Sequence, residues 1–447
     1  MDFASILPAL GGTVWILVFF VIALSVIVAI HEYGHYIVGR WCGIHADVFS
    51  IGFGKVLASR IDKRGTKWQI AALPFGGYVK FRGDADAASV GSEEVAETHD
   101  PRTTMPGAPL WARALTIVAG PVFNFIFAIA IFAGYQMYQG EATTPLTYAS
   151  APALPDGYSY VSEFEPGDQI VGLDGFDMTE LGDFLQNASA LVASERVLDY
   201  RVLRDGTEIT IQGPHPVGTR VQNIVPRSAS DDAGIRVGDY VLSVNGEDVH
   251  SISDIIRIKN ENLDAALLLS VYRDGEVFEA TMTPRRVDTP LPEGGFRTDY
   301  LIGLVGGMFF EPEVMPVGFF AAIQGGSSEL WWRTTTSLSG IWHLITGSIS
   351  TCNISGPVGI AQTSGSMAQQ GTQSFVLFIG ILSAAVGLLN LFPIPVLDGG
   401  HLVFHAYEAV ARRKPSEAAL KVLMSFGVAI IGAVMVFALL NDLIFCP

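Results

Sequence analysis

Residues 14–38 read VWILVFFVIALSVIVAIHEYGHYIV, and this stretch decides the fold. Residues 14–30 are apolar except for Ser25. A helix of about 20 such residues covers the roughly 30 Å of hydrocarbon in a bilayer. The stretch has no basic start and no small-residue cleavage site, and a polar motif ends it. We therefore interpret it as a retained membrane span rather than as a signal peptide.

Three further stretches are long and apolar enough to cross a bilayer: about Leu115 to Met137, Phe375 to Leu397, and Val422 to Leu443. The composition agrees, because 49% of the residues are hydrophobic and only 16% are charged, against about 25% charged in soluble domains. The sequence predicts a polytopic α-helical membrane protein with four transmembrane helices. Its three cysteines show no CxxC spacing and are interpreted as apolar filler rather than as a disulfide framework.

Basic residues are concentrated in two loops. Residues 39–113 carry ten Lys and Arg and residues 412–421 carry four, whereas residues 1–13 and 444–447 carry none. The positive-inside rule places both basic loops in the cytoplasm and both termini outside. Residues 139–330, with 30 acidic and 12 basic side chains, then lie outside. In a bacterium this acidic region is periplasmic, and its charge argues against nucleic-acid binding.

The acidic region contains an internal repeat. Residues 166–178 read PGDQIVGLDGFDM and residues 237–249 read VGDYVLSVNGEDV, and an Arg-Asp-Gly triplet follows at 204–206 and at 273–275. The offset of about 70 residues indicates two homologous modules in tandem. Asp-Gly and Asn-Gly pairs between alternating apolar runs indicate tight hairpins. Both modules are therefore predicted to be β-rich.

The motif at residues 31–35, HEYGH, carries the chemistry. On a helix, His31 and His35 share a face and can ligate one Zn²⁺, with Glu32 placed to activate a water molecule. Ionisable groups inside a membrane helix are costly and usually functional. Catalytic zinc takes three protein ligands plus water, so a third ligand must come from elsewhere in the chain.

The third ligand is expected near the end of the third span, where residues 390–401 read NLFPIPVLDGGH. Two prolines and two glycines must break a helix there. Broken backbone at membrane depth is tolerated only when it is buried in protein or lines a wet cavity. Asp398 offers a carboxylate, and His401 and His405 are competing ligands. Spacing alone does not choose among these three residues.

Together these motifs resemble the site-2 protease family of intramembrane zinc metalloproteases. The resemblance rests on His31-Glu32-x-x-His35 in a first span and Asn390-x-x-Pro393-x-x-x-x-Asp398-Gly399 in a late one. Further matching stretches are SIGFG at 50–54, GGYVK at 76–80, GPxxNF at 120–125 and SGP at 355–357. The likeness covers nearly the whole chain. It implies a Zn²⁺ cofactor with Asp398 as third ligand, Glu32 as catalytic base and Asn390 beside the substrate.

The second module also resembles a PDZ domain. Residues 233–239 read AGIRVGD and residues 244–246 read VNG, and the likeness covers most of 218–287. The first module, residues 140–217, retains only the Pro-Gly-Asp core. PDZ domains bind peptides by adding a strand to a sheet edge, so we expect these modules to contact trimmed substrate ends.

Residues 67–81, KWQIAALPFGGYVKF, form two β-like arms around a Pro-Phe-Gly-Gly turn. The segment is too short to span the membrane as a helix. The family resemblance implies a membrane-re-entrant β-hairpin over residues 66–82, with Gly76 and Gly77 in contact with substrate. One edge of this sheet is expected to capture unwound substrate as an added strand.

The resulting plan has nine segments. They are the first transmembrane helix (1–38), a cytoplasmic loop with the hairpin (39–112), the second helix (113–139), the two PDZ modules (140–217 and 218–287), a linker with interfacial helices (288–370), the third helix (371–400), a cytoplasmic turn (401–420) and the fourth helix (421–447). The resemblance implies regulated intramembrane proteolysis of single-span membrane proteins, such as anti-sigma factors, and of remnant signal peptides. Substrate proteins and membrane lipid are the implied partners. The alternative is a catalytically silent membrane PDZ scaffold, which would not need the His, Glu and Asp residues.

Overall fold

The computed structural model describes residues 12–83, 101–154, 161–178, 180–182, 184, 197–263, 265–291 and 295–445, without the side chains of Phe75 and Pro101. Most of the N-terminal flank and Cys446, both used in the sequence interpretation, lie outside these residues. The chain divides into two compact units. One comprises Met1–Ala133, Ile323–Thr346 and Ile354–Pro447, and the other Gly134–Ala322 and Gly347–Asn353.

Nine helices are formed by the described residues. They are α1 (Gly12–Trp41), α2 (Leu110–Gln139), α3 (Ala229–Asp232), α4 (Ile252–Glu261), α5 (Phe319–Ile345), α6 (Pro357–Gln369), α7 (Thr372–Asn390), α8 (Asp398–Ala411) and α9 (Glu417–Leu440), and α9 continues into a π-helical turn, Asn441–Phe445. Four of them, α1, α2, α7 and α9, are long and apolar enough to cross a membrane. This confirms the predicted number of spans.

The third span is shorter than predicted. Helix α7 ends at Asn390, not at Leu397, because Pro393 and Pro395 lack the N–H that the next helical turn needs. A new helix, α8, starts at Asp398. The segment 401–420, predicted as a cytoplasmic turn, is helical as far as Ala411.

An ion pair ties α8 to α2. Arg113 donates through Nη1 to Glu408 Oε2 (3.0 Å) and through Nη2 to Glu408 Oε1 (2.7 Å). Both side chains are largely buried, and paired N–H···O bonds of this kind fix orientation as well as distance. The start of α6 is held similarly, because Asp442 accepts from the backbone N–H groups of Gly356 and Gly359 at 3.0 and 2.9 Å.

Strands β1 (Ala46–Ile61) and β2 (Lys67–Phe81) follow α1. Each strand is bent into two arms. The first arm of β1, residues 48–51, lies between residues 67–70 and 77–80 of β2. Residues 67–71 also pair with the second arm of β1, residues 56–61. The arm order is 77–81, 46–51, 67–71, 56–61. Arms 77–81 and 56–61 are the two edges of this sheet, and no other described strand covers either of them.

The described residues of the second unit form sixteen short strands. They are β3 (Glu141–Ala142), β4 (Tyr148–Ser150), β5 (Gln169–Leu173), β6 (Phe176–Asp177), β7 (Leu198–Arg204), β8 (Thr207–Gly213), β9 (Val217–Ile224), β10 (Tyr240–Val244), β11 (Glu247–Asp248), β12 (Leu267–Arg273), β13 (Glu276–Met282), β14 (Arg285–Pro290), β15 (Phe296–Leu301), β16 (Leu304–Met308), β17 (Glu311–Pro312) and β18 (Val314–Met315). The first module is a sheet of order β6-β5-β7-β8, and the second has order β13-β12-β10-β9-β16 with β11 paired to β10. Each module has its own apolar core.

The two modules repeat one structural device. In the first, Arg204 donates to both carboxylate oxygens of Asp168, at 2.8 and 2.7 Å. In the second, Arg273 donates to both oxygens of Asp239, at 2.7 and 2.6 Å. Both aspartates are almost fully buried. The Arg-Asp-Gly and Gly-Asp matches in the sequence thus correspond to an equivalent buried ion pair.

Residues 288–370 are not only a linker with interfacial helices. Strand β16 pairs antiparallel with β9, as in Val305 beside Asn223, so the second module extends beyond residue 287. Phe309 and Phe310 enter the core of the first module. Segments distant in sequence complete both modules because each sheet has an apolar face that its own continuous stretch leaves uncovered.

The cysteines differ from one another. Cys42 is a free thiol, whereas Cys352 is disulfide-bonded. The interpretation of the cysteines as apolar filler is therefore wrong for Cys352. Spacing did not reveal this, because a disulfide depends on which residues the fold brings together.

Candidate metal centre

Three side chains from two helices converge on one point. His31 and His35 lie one turn apart on α1, and Asp398 is the first residue of α8. His31 Nε2 lies 3.1 Å from His35 Nε2 and 3.1 Å from Asp398 Oδ2. His35 Nε2 lies 3.5 Å from the same oxygen. Among the described residues this is the group of His, Cys, Asp or Glu side chains able to hold a metal ion.

The arrangement fits zinc. Ligand atoms about 2.1 Å from a tetrahedral zinc lie about 3.4 Å from one another, and the three distances of 3.1–3.5 Å match that spacing. Asp398 Oδ2 is buried and accepts no hydrogen bond within the described chain. Two imidazole nitrogens and one carboxylate oxygen are the ligand set of a catalytic site that leaves the fourth position open.

A backbone carbonyl from α2 sets the tautomer of His35. Its Nδ1 lies 2.9 Å from the carbonyl oxygen of Thr116. A carbonyl only accepts, so Nδ1 carries the hydrogen and donates it, and the neutral ring presents a lone pair at Nε2. Metal-ligating histidines are commonly oriented in this way through their second nitrogen.

Asn124 of α2 plays the matching part for His31. Its side chain is fully buried, and its amide group lies 3.2 Å from His31 Nδ1. Its Oδ1 has no hydrogen-bond partner within the described chain. If the amide turns by half a rotation, Oδ1 accepts from His31 Nδ1–H, which leaves Nε2 as a lone pair for the metal. The sequence signal for this contact is the position of Asn124 four residues after Gly120, which puts both residues on the face of α2 toward α1.

Glycines create the space around the ligands. A Cβ on Gly120 would lie 2.3 Å from His35 Nε2, so only glycine lets α2 approach the two imidazoles. A Cβ on Gly399 would lie 2.3 Å from the carbonyl oxygens of Leu391 and Phe392. This glycine lets α8 begin directly against the loop that follows α7, which puts Asp398 within reach of α1.

Glu32 lies between the metal ligands and the β-sheet. It follows His31 on α1 and lies close to the backbone N–H of Val79. A Cβ on Gly77 would lie 3.2 Å from Glu32 Cγ and 2.7 Å from the Ser50 carbonyl oxygen. The edge arm 77–81 therefore lies directly beside Glu32.

The other predicted site residues do not belong to the group formed by His31, His35 and Asp398. Gly76 has φ +126° and packs against the ring of Phe53. Asn390 is the last residue of α7. His401 and His405, the competing ligands, follow Asp398 on α8 but do not belong to the metal-binding group. His405 Nδ1 is buried without a hydrogen-bond partner in the described chain.

Comparison with known proteins agrees with this geometry. The model of peptidase family M50 matches residues 19–434. The chain belongs to peptidase family M50. The chain is 34% identical to an Agrobacterium fabrum protein named as a zinc metalloprotease, with 98% of both chains covered. It is 30% identical to the regulator of sigma-E protease RseP of Salmonella typhimurium, over 96% of this chain and 98% of that one.

Membership in M50 confirms the predicted site-2 protease family. It makes the chain a metalloprotease with zinc as its cofactor. The relative from Rhizobium meliloti, 32% identical over 95% of both chains, carries the same kind of name. The four apolar helices add that this M50 protein belongs to a membrane.

Proposed function

We propose that this chain is an intramembrane zinc endopeptidase that cleaves single-span membrane proteins within the bilayer. The observation that carries the proposal is the meeting of His31, His35 and Asp398 around one point, with Glu32 beside them. Two of the ligands belong to α1, a helix long and apolar enough to cross the membrane. Such groups are costly at that depth unless they have a function.

The chain's own residues divide the hydrolytic work. When bound, zinc supplies a Lewis acid that polarises a carbonyl and lowers the pKa of a water molecule to about 7. His31, His35 and Asp398 hold the ion. Glu32 takes a proton from the attacking water and returns it to the leaving amine nitrogen. The N–H of Val79 orients the Glu32 carboxylate for that transfer.

The substrate poses a separate problem, because a transmembrane helix hides its peptide bonds in internal hydrogen bonds. We propose that the edge arm 77–81 pairs with an unwound stretch of substrate. Gly77 lies at the start of this arm, beside Glu32, and Gly76 directly precedes it. Asn390, at the end of the broken helix α7, is proposed to contact the substrate near the metal.

We propose that the two β-modules are PDZ domains that receive or exclude substrate ends outside the membrane. The name of the Salmonella relative, regulator of sigma-E protease, supports anti-sigma-factor-like substrates, with remnant signal peptides as a second group. In this proposal the modules contact substrates that have already been trimmed and exclude longer ones by size.

The proposed location is the inner membrane of a bacterium, with the modules in the periplasm and the active site open to the cytoplasmic side. The distribution of basic residues supports this orientation. The disulfide at Cys352 supports it independently, since disulfides persist in oxidising compartments such as the periplasm. A silent PDZ scaffold is disfavoured, because it would need neither the ligands nor Glu32.

A cleavage assay tests the proposal. Glu32→Gln keeps the size of the side chain but removes its ability to take a proton, so kcat/KM on a tagged single-span substrate should fall by about 10²–10⁴-fold, with zinc content unchanged. The neighbouring Tyr33→Phe is the matched control, because Tyr33 is exposed on the same helix, and it should retain activity. Full cleavage by Glu32→Gln would contradict the proposal.

A further inference from the structure

A cavity of 280 Å³ lies where the chain leaves α1, away from the metal ligands. Its volume is large beside the roughly 30 Å³ of a water molecule in the liquid. Three arginines and one histidine contribute to its walls: Arg40, His45, Arg64 and Arg82, together with Gly43, Ile44, Ala46, Thr66 and Thr103. It is a strongly basic cavity for a protein with a net charge of −17.

The walls are held in place by hydrogen bonds. The His45 N–H donates to the Thr103 carbonyl at 2.9 Å, and the Arg82 N–H donates to the His45 carbonyl at 2.8 Å. The Thr66 hydroxyl donates to the Ala46 carbonyl at 2.8 Å. The end of α1, the start of β1, the β1–β2 turn and the end of β2 thus form one preorganised site.

Positive charge predominates in the cavity. Arg82 pairs with Asp47 at 3.0 Å, and Arg40 lies 3.9 Å from Asp62. Each acidic residue fixes one guanidinium in position. Arg64 forms no ion pair within the described chain, so its guanidinium is available to an added anion.

The pKa of His45 agrees with this excess of positive charge. Its pKa is lowered by burial and next by the neighbouring Arg82, whose effect exceeds the opposing one of Asp47. A positive field at this wall favours a bound anion over a bound cation.

Two tryptophans indicate the depth of the cavity. Trp41, the last residue of α1, is 74% exposed, and Trp111, at the start of α2, is 64% exposed. Exposed tryptophans at the ends of membrane helices favour the level of the lipid headgroups. Arg40 and Gly43 flank Trp41 in the chain, so the cavity lies at that level.

We propose that this cavity binds the phosphate group of an anionic phospholipid headgroup. Arg64 supplies the unpaired guanidinium, and Arg40 and Arg82 supply further N–H donors toward the phosphate oxygens. Basic pockets beside the ends of membrane helices suit such headgroups. The bound lipid would anchor the β1–β2 turn at the membrane surface.

Native mass spectrometry of the full-length protein, titrated with phosphatidylglycerol or phosphatidylcholine, tests the proposal. The diagnostic variant is Arg64→Gln. Its matched control is Lys63→Gln, the same charge change at an exposed neighbour outside the cavity. Loss of a charge-assisted contact should weaken phosphatidylglycerol binding about tenfold in Arg64→Gln. Lys63→Gln should bind as wild type does, and phosphatidylcholine should bind weakly to all three proteins.

Three results would overturn the proposal. Equal weakening by both variants would indicate general surface charge rather than a site. Equal affinity for phosphatidylcholine would mean that the cavity does not select anionic headgroups. Displacement of phosphatidylglycerol by millimolar inorganic phosphate would make free phosphate the ligand. None of these results depends on proteolysis, so the test is independent of the proposed function.

Discussion

At the residue scale, the metal centre depends on side chains that do not touch the metal. His35 is oriented by the Thr116 carbonyl and His31 by Asn124, and both partners come from α2. Without these contacts each imidazole could rotate and present either nitrogen. The HEYGH motif therefore supplies two ligands, but α2 makes them point to the same place.

We expect Gly120→Ala to weaken metal binding strongly. The added Cβ would lie 2.3 Å from His35 Nε2 and 2.8 Å from His31 Cε1, so both rings must move. Zinc affinity, measured by competition with a chromogenic chelator, should fall at least about 100-fold, because misplaced supporting contacts alone cost 10–100-fold.

The matched control is Gly134→Ala on the same helix. A Cβ there meets no described atom within 4 Å, so this variant should bind zinc as wild type does. Normal zinc affinity in Gly120→Ala would show that the ligands do not meet where the structure brings them together.

At the element scale, the site forms where a helix is interrupted and where two strands bend. Helix α7 ends before two prolines, and α8 starts at Asp398, the proposed third ligand. Strands β1 and β2 bend so that arm 77–81 reaches Glu32 while arm 56–61 forms the opposite edge. Of the two edge arms, only arm 77–81 lies beside Glu32, and arm 56–61 is the opposite edge, so variants in the two arms can test the substrate-capture proposal.

We predict that single prolines in arm 77–81, at positions other than Gly77 and Val79 beside Glu32, slow cleavage of a stable transmembrane helix. Proline removes a backbone donor, and one lost hydrogen bond costs about 1 kcal/mol, or about fivefold in rate. A substrate whose helix is already broken should be slowed less. The measurement is kcat/KM for both substrates.

Prolines at residues 57–61, in the opposite edge arm, are the control for this scan. They should leave the ratio of the kcat/KM values for the two substrates unchanged. Equal slowing of both substrates by the 77–81 variants would count against capture of unwound substrate at this edge.

At the scale of the whole molecule, the main segment of the second unit, Gly134–Ala322, has one small ladder that joins its two ends. Strand β3 pairs with β18, and the Thr143 N–H donates to the Glu313 carbonyl at 3.0 Å. The intervening residues 144–312 can therefore be replaced by an Asn-Gly turn, which suits adjacent antiparallel strands.

This replacement tests the size filter. If the modules exclude untrimmed substrates, the shortened protease should cut a full-length single-span substrate that wild type leaves intact, as followed by gel shift of a tagged substrate. The same deletion carrying Glu32→Gln is the control and should cut nothing. A shortened protease that cuts only the trimmed substrate would rule out filtering by these modules.

Much of the molecule follows from local pattern. The four spans, the shared face of His31 and His35, and the repeated modules are encoded by neighbours in the chain, through an apolar length of about 20 residues, a spacing of four and an offset of about 70. Such features need no knowledge of the fold, because hydrophobicity and backbone hydrogen bonding act over short stretches.

Only the tertiary structure decided which distant groups meet. It brought Asp398, rather than His401 or His405, beside His31 and His35, gave Asn124 its contact with His31, and completed the second module with β16. The physical reason is that these contacts join residues far apart in the chain. Their positions depend on helix packing and on the glycines that permit close approach, which no periodicity records.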